Sequence, residues 1–260
     1  MSENTHPRAD DLDGLSARDF LAVMHEEDLE AVRAIAPVLD VMARAVEGVA
    51  ERLRAGGKLH YFGAGTSGMI AELDAAECPA TFGVEKDLVQ AHVALIPEQE
   101  DDRNLGQAAA GGARLRERDV AVGVSASGRT AFVLGAFDRA ASDRALRIAL
   151  TCNPGSPLGK AADIAIEVAT GPEVIAGSTR LKAGTVQKLL LNMLSTAVFT
   201  RLGRTYRGRM VGVIAANDKL RDRAARIVAD LTGLPVEEAA RRLREAGGDI
   251  RAVLDGVRTP

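Results

Sequence analysis

The chain has 260 residues, of which 47% are hydrophobic and 3% aromatic, and it contains no Trp. This length allows a stable core, and the scarcity of aromatic side chains disfavours a nucleic-acid surface built from stacking rings. The formal net charge of −3 does not call for a polyanion or an anionic membrane as a partner.

We expect neither a targeting segment nor a membrane-spanning segment in this sequence. Its start, MSENTHPRADD, is polar and acidic, unlike a secretory signal, and no later apolar run reaches the ~18 residues that a spanning helix needs. Cys78 and Cys152 lie far apart without metal-ligand companions, so a reduced pair is expected, although one disulfide is formally possible. We therefore expect a soluble, cytoplasmic protein without nucleic-acid or membrane partners.

The first part of the chain is predicted to be helical. Residues 1–14 are expected to be disordered or loosely held, whereas 17–54 are rich in Ala, Leu, Val and Glu with helical periodicity. Pro37 divides this segment into two helices, and Gly56 and Gly57 end the second.

Strands and helices then alternate along the chain. Strands are predicted in KLHYFGAG, HVALIP, DVAVGVSAS, ALRIALT and DIAIEVAT, and helices over 67–76, 101–117 and from GRT to about Ala141. Apolar strands that alternate with helices predict a parallel sheet covered on both faces. After Pro172, long helices are predicted over 178–202 and 217–231, and a small helical segment over 235–257, broken at Gly247-Gly248.

The segment YFGAGTSG contains the G-x-G-x-x-G spacing of a dinucleotide-binding turn, formed by Gly63, Gly65 and Gly68. A strand precedes it and a helix follows. However, the C-terminal end of HVALIP lacks the acidic residue that would bind the ribose. The turn also carries the hydroxyls of Thr66 and Ser67, which a dinucleotide does not require. These features favour a different phosphate ligand.

A second loop, GVSASGRT, has the same construction. It places Ser125, Ser127 and Thr130 between a strand and a helix, where hydroxyls and backbone N–H groups bind phosphate. Two such loops on one parallel sheet can meet where the strand order reverses, which suits a compact phosphorylated metabolite. The alternative is that these hydroxyls only cap helices, although caps seldom form an S-x-S-x-x-T pattern after an apolar strand.

Together these motifs resemble those of the N-acetylmuramic acid 6-phosphate etherases, a family of the sugar isomerase (SIS) domain superfamily related to glucokinase regulatory protein. The matching segments are GAGTSG, LDAAECPATFG, GVSASGRT, CNPGS and GSTRLKAGTVQKLLLNMLSTAVF. The resemblance runs from about Leu12 into the C-terminal helical segment. It implies a three-layer α/β/α SIS domain with a parallel, flavodoxin-like sheet, N-terminal helices and a small C-terminal helical appendage. We expect N-terminal helices in 1–54, the SIS phosphosugar-binding domain in 55–215 and a truncated helical region in 216–260.

The resemblance also implies a reaction. N-acetylmuramic acid 6-phosphate would lose its lactyl ether at C3, giving N-acetylglucosamine 6-phosphate and D-lactate, in cell-wall amino-sugar catabolism and recycling. Elimination across C2 and C3 of the open-chain sugar, followed by addition of water, requires a proton donor and a proton acceptor but no cofactor or metal. Glu77 matches the family's proton donor, and Glu100 matches its second catalytic glutamate. From the residues alone, either could be a solvated glutamate at a helix end.

The expected substrate contacts come from both loops and from one lysine. They are Gly65, Thr66, Ser67, Ser125, Ser127, Thr130 and Lys182, although Lys182 could instead pair with an acid at a helix start. The chain departs from the family pattern at Met69, where Arg is usual, and at Ala80, where a second Pro is usual. The segment 83–100 is also shorter than in the family.

Two other functions remain open at this point. One is a different SIS enzyme, such as a phosphosugar isomerase, and the other is a phosphosugar sensor without turnover. Both glutamates favour an enzyme over a sensor. Because the helices over 17–54 and 178–202 carry more apolar surface than one thin sheet can cover, and because SIS proteins commonly dimerise, a homodimer is expected.

Overall fold

The computed structural model describes residues 4–212 and 218–256. It forms two compact units. The first comprises Met1–Ala76 and Asp87–Thr196, and the second comprises Glu77–Lys86 and Ala197–Pro260. Within the described ranges, no helix is both long and apolar enough to cross a membrane.

A five-stranded parallel sheet forms the centre of the first unit. Its strands are β1 (Leu59–Ala64), β2 (Val89–Ala94), β3 (Val120–Ser125), β4 (Leu146–Thr151) and β5 (Ile164–Glu167), in the order β2-β1-β3-β4-β5. Every residue of β1 and β3 is buried, as expected for strands with helices on both faces. The order is that of flavodoxin-like sheets, in which the direction of strand addition reverses between β1 and β3. The predicted parallel, flavodoxin-like sheet is confirmed.

The helices of the first unit surround this sheet. They are α1 (Ala9–Leu12), α2 (Ala17–Arg33), α3 (Leu39–Arg54), α5 (Pro97–Glu100), α6 (Arg103–Ala113), α7 (Ala131–Ser142) and α8 (Pro157–Ala161). Two further helices, α4 (Gly65–Phe82) and α9 (Lys182–Arg201), begin in the first unit and end in the second. The predicted division near Pro37 is confirmed, because a 3-10 turn over Ala36–Val38 separates α2 from α3.

Neighbouring residues of β1 show how the layers form. Phe62 packs in a cluster with Ala110 of α6 and Ala136 of α7. The preceding residue, Tyr61, points to the opposite face, where its hydroxyl donates a 2.8 Å hydrogen bond to Asp74 of α4. The first unit therefore has the expected three layers of helix, sheet and helix.

The second unit contains a short antiparallel pair and three further helices. These are β6 (Thr205–Tyr206), β7 (Arg209–Met210), α10 (Asp218–Thr232), α11 (Val236–Glu245) and α12 (Ile250–Gly256). Its core includes Val228, Leu243 and Ile250. The predicted break at Gly247-Gly248 is confirmed, since both residues have positive φ, 64° and 87°. Predicted helical positions 217 and 257 lie outside the described residues.

The N-terminal segment differs from its prediction. Residues 1–14 are predicted to be disordered or loosely held, but the described part forms α1 and buries His6 and Leu12. Leu12 packs in a cluster with Val23 of α2 and Val174. This long-range burial orders a segment whose own composition is polar.

Element boundaries also differ where loops intervene. β2 spans Val89–Ala94 and not residues 92–97, because it pairs with β1 from Val89 onward. It ends before Leu95 and Ile96, and Pro97 starts α5. α9 begins at Lys182 rather than Ser178. The reason is that the buried Glu173 carboxylate accepts hydrogen bonds from the first two backbone N–H groups of α9, of Lys182 and Ala183.

Two further helices have corrected ends. α4 continues beyond the predicted end at Ala76 to Phe82, with Pro79 inside it. It stops where Gly83, at φ 62°, donates its N–H to the carbonyl of Pro79. α6 is shorter than predicted, because Asp102 caps its N-terminus and Arg114 adopts a left-handed conformation at its end.

Candidate functional site

The two hydroxyl-bearing loops emerge side by side from the sheet. β1 and β3 are adjacent parallel strands, with Gly63 opposite Val124, so both end at the same edge. The turn after β1 and the loop after β3 therefore flank the position where the strand order reverses. Ligands of open parallel sheets bind at such positions. The predicted proximity of the two loops is confirmed.

Glycine is required where the first turn packs closely on the sheet. A Cβ on Gly63 would lie 2.8 Å from the Cα of Gly68, and a Cβ on Gly68 would lie 2.3 Å from Cγ1 of Val93. Gly65, at φ 50°, begins α4 in the left-handed region. This conformation brings Thr66 and Ser67, both partly exposed, into the first turn of α4.

Glu100 lies beside this turn. Its Oε2 is 3.9 Å from the position that a Cβ on Gly65 would occupy. The residue is half-buried at the end of α5, and the cap of the next helix is Asp102, which accepts from the N–H of Leu105 at 3.0 Å. The carboxylate of Glu100 is therefore adjacent to the Gly-rich turn and does not cap α6.

The second loop is organised by its own hydroxyls. Ser125 Oγ accepts from the N–H of Gly128 at 3.0 Å and lies 2.8 Å from Thr130 Oγ1. Ser127 Oγ accepts from the N–H of Arg129 at 3.1 Å. Thr130 occupies the N-cap of α7 but forms no capping hydrogen bond through its side chain among the described residues. Helix capping alone therefore does not account for these three hydroxyls.

A neighbouring loop holds the second loop in place. The carbonyl of Ala126 accepts from the N–H of Cys152 at 3.0 Å and from Nδ2 of Asn153 at 2.8 Å, and the carbonyl of Gly128 accepts from the N–H of Leu158. Gly128 has φ 66°, and a Cβ there would lie 2.4 Å from Ser156. The CNPGS segment is therefore a support for the hydroxyl loop.

Lys182 is predicted to contact the substrate, but in the structure its side chain is buried and pairs with an acid. It is 3% exposed, and its Nζ donates to Oε2 of Glu27, whose other oxygen lies 3.1 Å from Nε2 of His6. Burial alone would raise the pKa of Glu27, but hydrogen bonds from Lys182 and His6 hold it below its usual value. Glu27 and Lys182 line a cleft of about 490 Å³ together with Arg33 and Thr170. The alternative role, pairing with an acid, is thus observed, and the substrate contact stays a prediction.

Comparison with known proteins identifies the family. A model of the SIS domain matches residues 106–197. An N-acetylmuramic acid 6-phosphate etherase of Thermobifida fusca is 49% identical over 252 residues, which cover 94% of this chain and 82% of that protein. N-acetylmuramic acid 6-phosphate etherase 2 of Bacillus licheniformis is 44% identical over 261 residues, covering 97% and 88%. The chain belongs to the N-acetylmuramic acid 6-phosphate etherase family.

A solved structure supports the SIS fold of this etherase-family chain. The phosphoheptose isomerase of Neisseria gonorrhoeae matches with a TM-score of 0.55 and 21% identity, over 71% of this chain and all of that one. The predicted SIS fold is confirmed.

Glu77, which the resemblance identifies as a proton donor, lies on the part of α4 that belongs to the second unit. Its side chain is exposed. The predicted end of the helix at this point is wrong, because α4 continues to Phe82. The role of Glu77 in proton transfer stays a prediction.

The cysteines are not placed for nucleophilic chemistry. Both Cys78 and Cys152 are buried thiols. Burial, followed by the nearby charge of Glu173, raises the pKa of Cys152 to about 12, so the thiolate is not populated near neutral pH. Within the described ranges, no group of three or more His, Cys, Asp or Glu side chains is arranged to hold a metal ion.

Two buried polar residues on α9 were not predicted from the sequence. Gln187 and Ser195 are 0% and 3% exposed, and they contact Ser67 and Asp74 of α4. A signal for them exists in the sequence, because they fall on the apolar stripe of the helix. The other members of that stripe are Ala183, Val186, Leu190, Leu191, Leu194 and Val198.

Proposed function

We propose that this chain is a carbon–oxygen lyase that cleaves the D-lactyl ether of N-acetylmuramic acid 6-phosphate. The products are N-acetylglucosamine 6-phosphate and D-lactate. The observation that carries the proposal is the carboxylate of Glu100 beside Gly65, at the sheet edge where both hydroxyl loops emerge. Etherases with 44–49% identity over nearly the whole chain support the choice of substrate.

The chemistry uses one acid and one base. In the open-chain sugar, the aldehyde at C1 acidifies the proton on C2. Glu100 accepts this proton, the C3–O bond breaks, and the departing lactate oxygen takes a proton from Glu77. Water then adds at C3 of the unsaturated aldehyde and a proton returns to C2. Carboxyl groups perform such transfers best when their surroundings bring the pKa close to the pH at which the enzyme works.

The phosphate of the substrate binds the hydroxyl loop in this proposal. Ser127 Oγ accepts from a backbone N–H, and its other contact is a long one of 3.5 Å with Ser125 Oγ, so its proton can turn to a phosphate oxygen. Thr130 stands at the N-terminus of α7, where backbone N–H groups and the helix dipole attract an anion. Gly65, Thr66, Ser67, Ser125 and Lys182 complete the proposed substrate contacts.

The proposal places this reaction in cytoplasmic catabolism and recycling of cell-wall amino sugars, with the enzyme as a homodimer. An exposed apolar stripe on α2 supports dimerisation. Leu21, Leu29 and Val32 are 62%, 41% and 45% exposed and lie within about 80° of one another around the helix. Leu39 and Met193 are also exposed, at 51% and 41%. A second copy of the chain would remove such surface from water.

One assay tests whether the reaction occurs and which of the two C–O bonds of the ether breaks. The purified protein is incubated with N-acetylmuramic acid 6-phosphate, and D-lactate is measured enzymatically. In deuterium oxide, the sugar product should carry deuterium at C2. In water labelled with oxygen-18, the label should enter at C3 of the amino sugar. Label in the lactate would instead show cleavage on the lactyl side and overturn the elimination.

The same assay separates the two other functions. A phosphosugar isomerase would release no lactate from N-acetylmuramic acid 6-phosphate. C2 of this sugar carries an acetamido group in place of the hydroxyl that becomes the ketone, so an isomerase would instead interconvert the aldose and ketose of a phosphosugar with a hydroxyl at C2. A sensor would bind the phosphosugar without any turnover. Either result would overturn the proposed lyase.

A further inference from the structure

Gln187 is a buried amide on α9 that contacts the Gly-rich turn. Its side chain is 0% exposed, and its Oε1 accepts a 3.0 Å hydrogen bond from Oγ of Ser67. Its Nε2 is also buried and has no hydrogen-bond partner in the part of the chain that the structure describes. A buried N–H donor in this state is rare in native proteins and requires an explanation.

The packing of α4 on α9 fixes the place of this amide. A Cβ on Gly184 would lie 3.6 Å from Cγ2 of Thr66 and 3.7 Å from Cδ1 of Ile70, so the first turns of the two helices are in contact. Gln187 follows one turn later, directly beside Ser67. Rotation about the terminal bond of Gln187 exchanges Oε1 and Nε2 without moving the rest of the side chain.

Ser67 has a single hydroxyl proton, so the orientation of the Gln187 amide decides whether Ser67 can donate a hydrogen bond to a ligand. With Oε1 toward Ser67, the hydroxyl donates to the amide and can only accept from a ligand. With Nε2 toward Ser67, the amide donates and the hydroxyl proton is available to an anionic oxygen. Hydrogen bonds to charged acceptors are stronger than those between neutral groups, so a bound phosphate favours the second arrangement.

We propose that Gln187 positions the Ser67 hydroxyl for the phosphate of the phosphosugar. In the absence of ligand, Oε1 holds the proton of Ser67. When the phosphosugar binds, the amide turns, Nε2 donates to Ser67 Oγ, and Ser67 donates to a phosphate oxygen. This inference rests on the proposed function, because it takes Ser67 as a substrate contact.

A double-mutant cycle measured by calorimetry tests the coupling. The probe is N-acetylglucosamine 6-phosphate, and the variants are Ser67→Ala, Gln187→Met and their combination. Each single substitution should weaken binding about tenfold, and the combination should weaken it little further, because the two residues act through one hydroxyl. A coupling below about threefold overturns the inference.

The chemistry of the amide gives a second readout. Gln187→Glu should weaken binding about a hundredfold or more, since its carboxylate only accepts and adds negative charge near the phosphate. Binding of unphosphorylated N-acetylglucosamine should not change. Equal losses for Gln187→Glu and Gln187→Met, or an equal loss of the unphosphorylated sugar, contradict a role through the phosphate. Gln187→Met keeps the size of the side chain and preserves the test if the glutamate variant does not fold.

Steady-state kinetics and a control variant complete the experiment. Gln187→Met should raise KM about tenfold and change kcat less than about twofold, because it alters binding and leaves the acid and base in place. Thr185→Ala, an exposed position on the same helix, should match the wild type. If the wild-type protein does not bind the phosphosugar at all, both this inference and the proposed function are wrong. Binding with no coupling overturns this inference alone.

Discussion

Ser195 of α9 donates a 2.9 Å hydrogen bond to the buried carboxylate of Asp74 on α4, which is 4% exposed. Tyr61 of β1 donates to the other oxygen of the same carboxylate at 2.8 Å. One side chain thus connects β1 to α4 and to α9. The helix that carries the Gly-rich turn is held against the sheet by this buried polar network.

Removal of this carboxylate should destabilise the protein. Asp74→Ala removes the carboxylate that accepts from the buried Tyr61 hydroxyl and one of the two acceptors of Ser195, whose hydroxyl also contacts the carbonyl of Leu191 at 3.0 Å, so the free energy of unfolding should fall by about 1–3 kcal/mol. Urea denaturation followed by circular dichroism measures this change. Glu72→Ala, at an exposed position on the same helix, should change stability by less than about 0.5 kcal/mol. Equal midpoints for the two variants would contradict the structural role of Asp74.

The rate of lactate release should depend on the carboxyl groups of Glu100 and Glu77. Glu100→Gln and Glu77→Gln keep the shape of the side chain but cannot exchange a proton, so kcat for lactate release should fall about 10²–10⁴-fold. Binding of N-acetylglucosamine 6-phosphate should largely survive. The matched controls are Glu98→Gln beside the first and Glu72→Gln on the helix of the second, both exposed. Full activity of either catalytic variant removes that residue from the mechanism.

The hydroxyl loop should account for selectivity toward the phosphorylated sugar. Ser127→Ala removes one charge-assisted hydrogen bond, worth about 1.5–3 kcal/mol, so binding of N-acetylglucosamine 6-phosphate should weaken about tenfold or more. Calorimetry with the phosphorylated and unphosphorylated sugars measures this selectivity. Ser142→Ala, at the exposed end of α7, serves as the control. A wild-type protein that binds both sugars equally would contradict the phosphate site.

Buried histidines on the sheet predict acid lability. Burial, followed by the charge of His92 beside it, lowers the pKa of His60 from 6.5 to about 4. In the unfolded chain His60 therefore binds a proton near pH 6.5, whereas in the folded chain it binds one only near pH 4. The free energy of unfolding falls as the pH drops from 6.5 to 4, because only the unfolded state gains the proton in this range. From this residue alone, the protein should be about 2 kcal/mol less stable at pH 5 than at pH 7.

Urea denaturation of His60→Leu at the two pH values checks this expectation. The variant should lose most of the difference between pH 7 and pH 5, a range in which ordinary carboxylates change their charge little. An unchanged pH dependence in His60→Leu would assign the acid lability to other groups.

The apolar stripe on α2 should mediate self-association. Val32→Glu places a charge among exposed apolar side chains and should convert the proposed dimer to a monomer at micromolar concentration, as measured by light scattering. Glu30→Gln, at an exposed position about 100° or more around the helix from each residue of the stripe, should leave the association unchanged. A monomeric wild-type protein with full activity would show that the dimer prediction is wrong.

Local features of the sequence were sufficient for the architecture. Apolar strands that alternate with helices predicted a parallel sheet, and turn chemistry placed Gly63–Gly68 and Ser125–Thr130 at strand ends, because periodicity and turn preference act over a few residues. Boundaries were predicted less well where a distant side chain decides them. Glu173, for example, sets the start of α9 from outside the helix.

The sequence by itself thus determined the fold class, the family and the two loops, since each depends on contiguous motifs. Only the tertiary structure decided which polar side chains meet. Ser67 and Gln187 are 120 positions apart, and Glu27 and Lys182 are 155 apart. No short-range pattern encodes such pairs. They form because packing of the helices on the sheet removes these groups from water, and buried polar groups are stable only when they find one another.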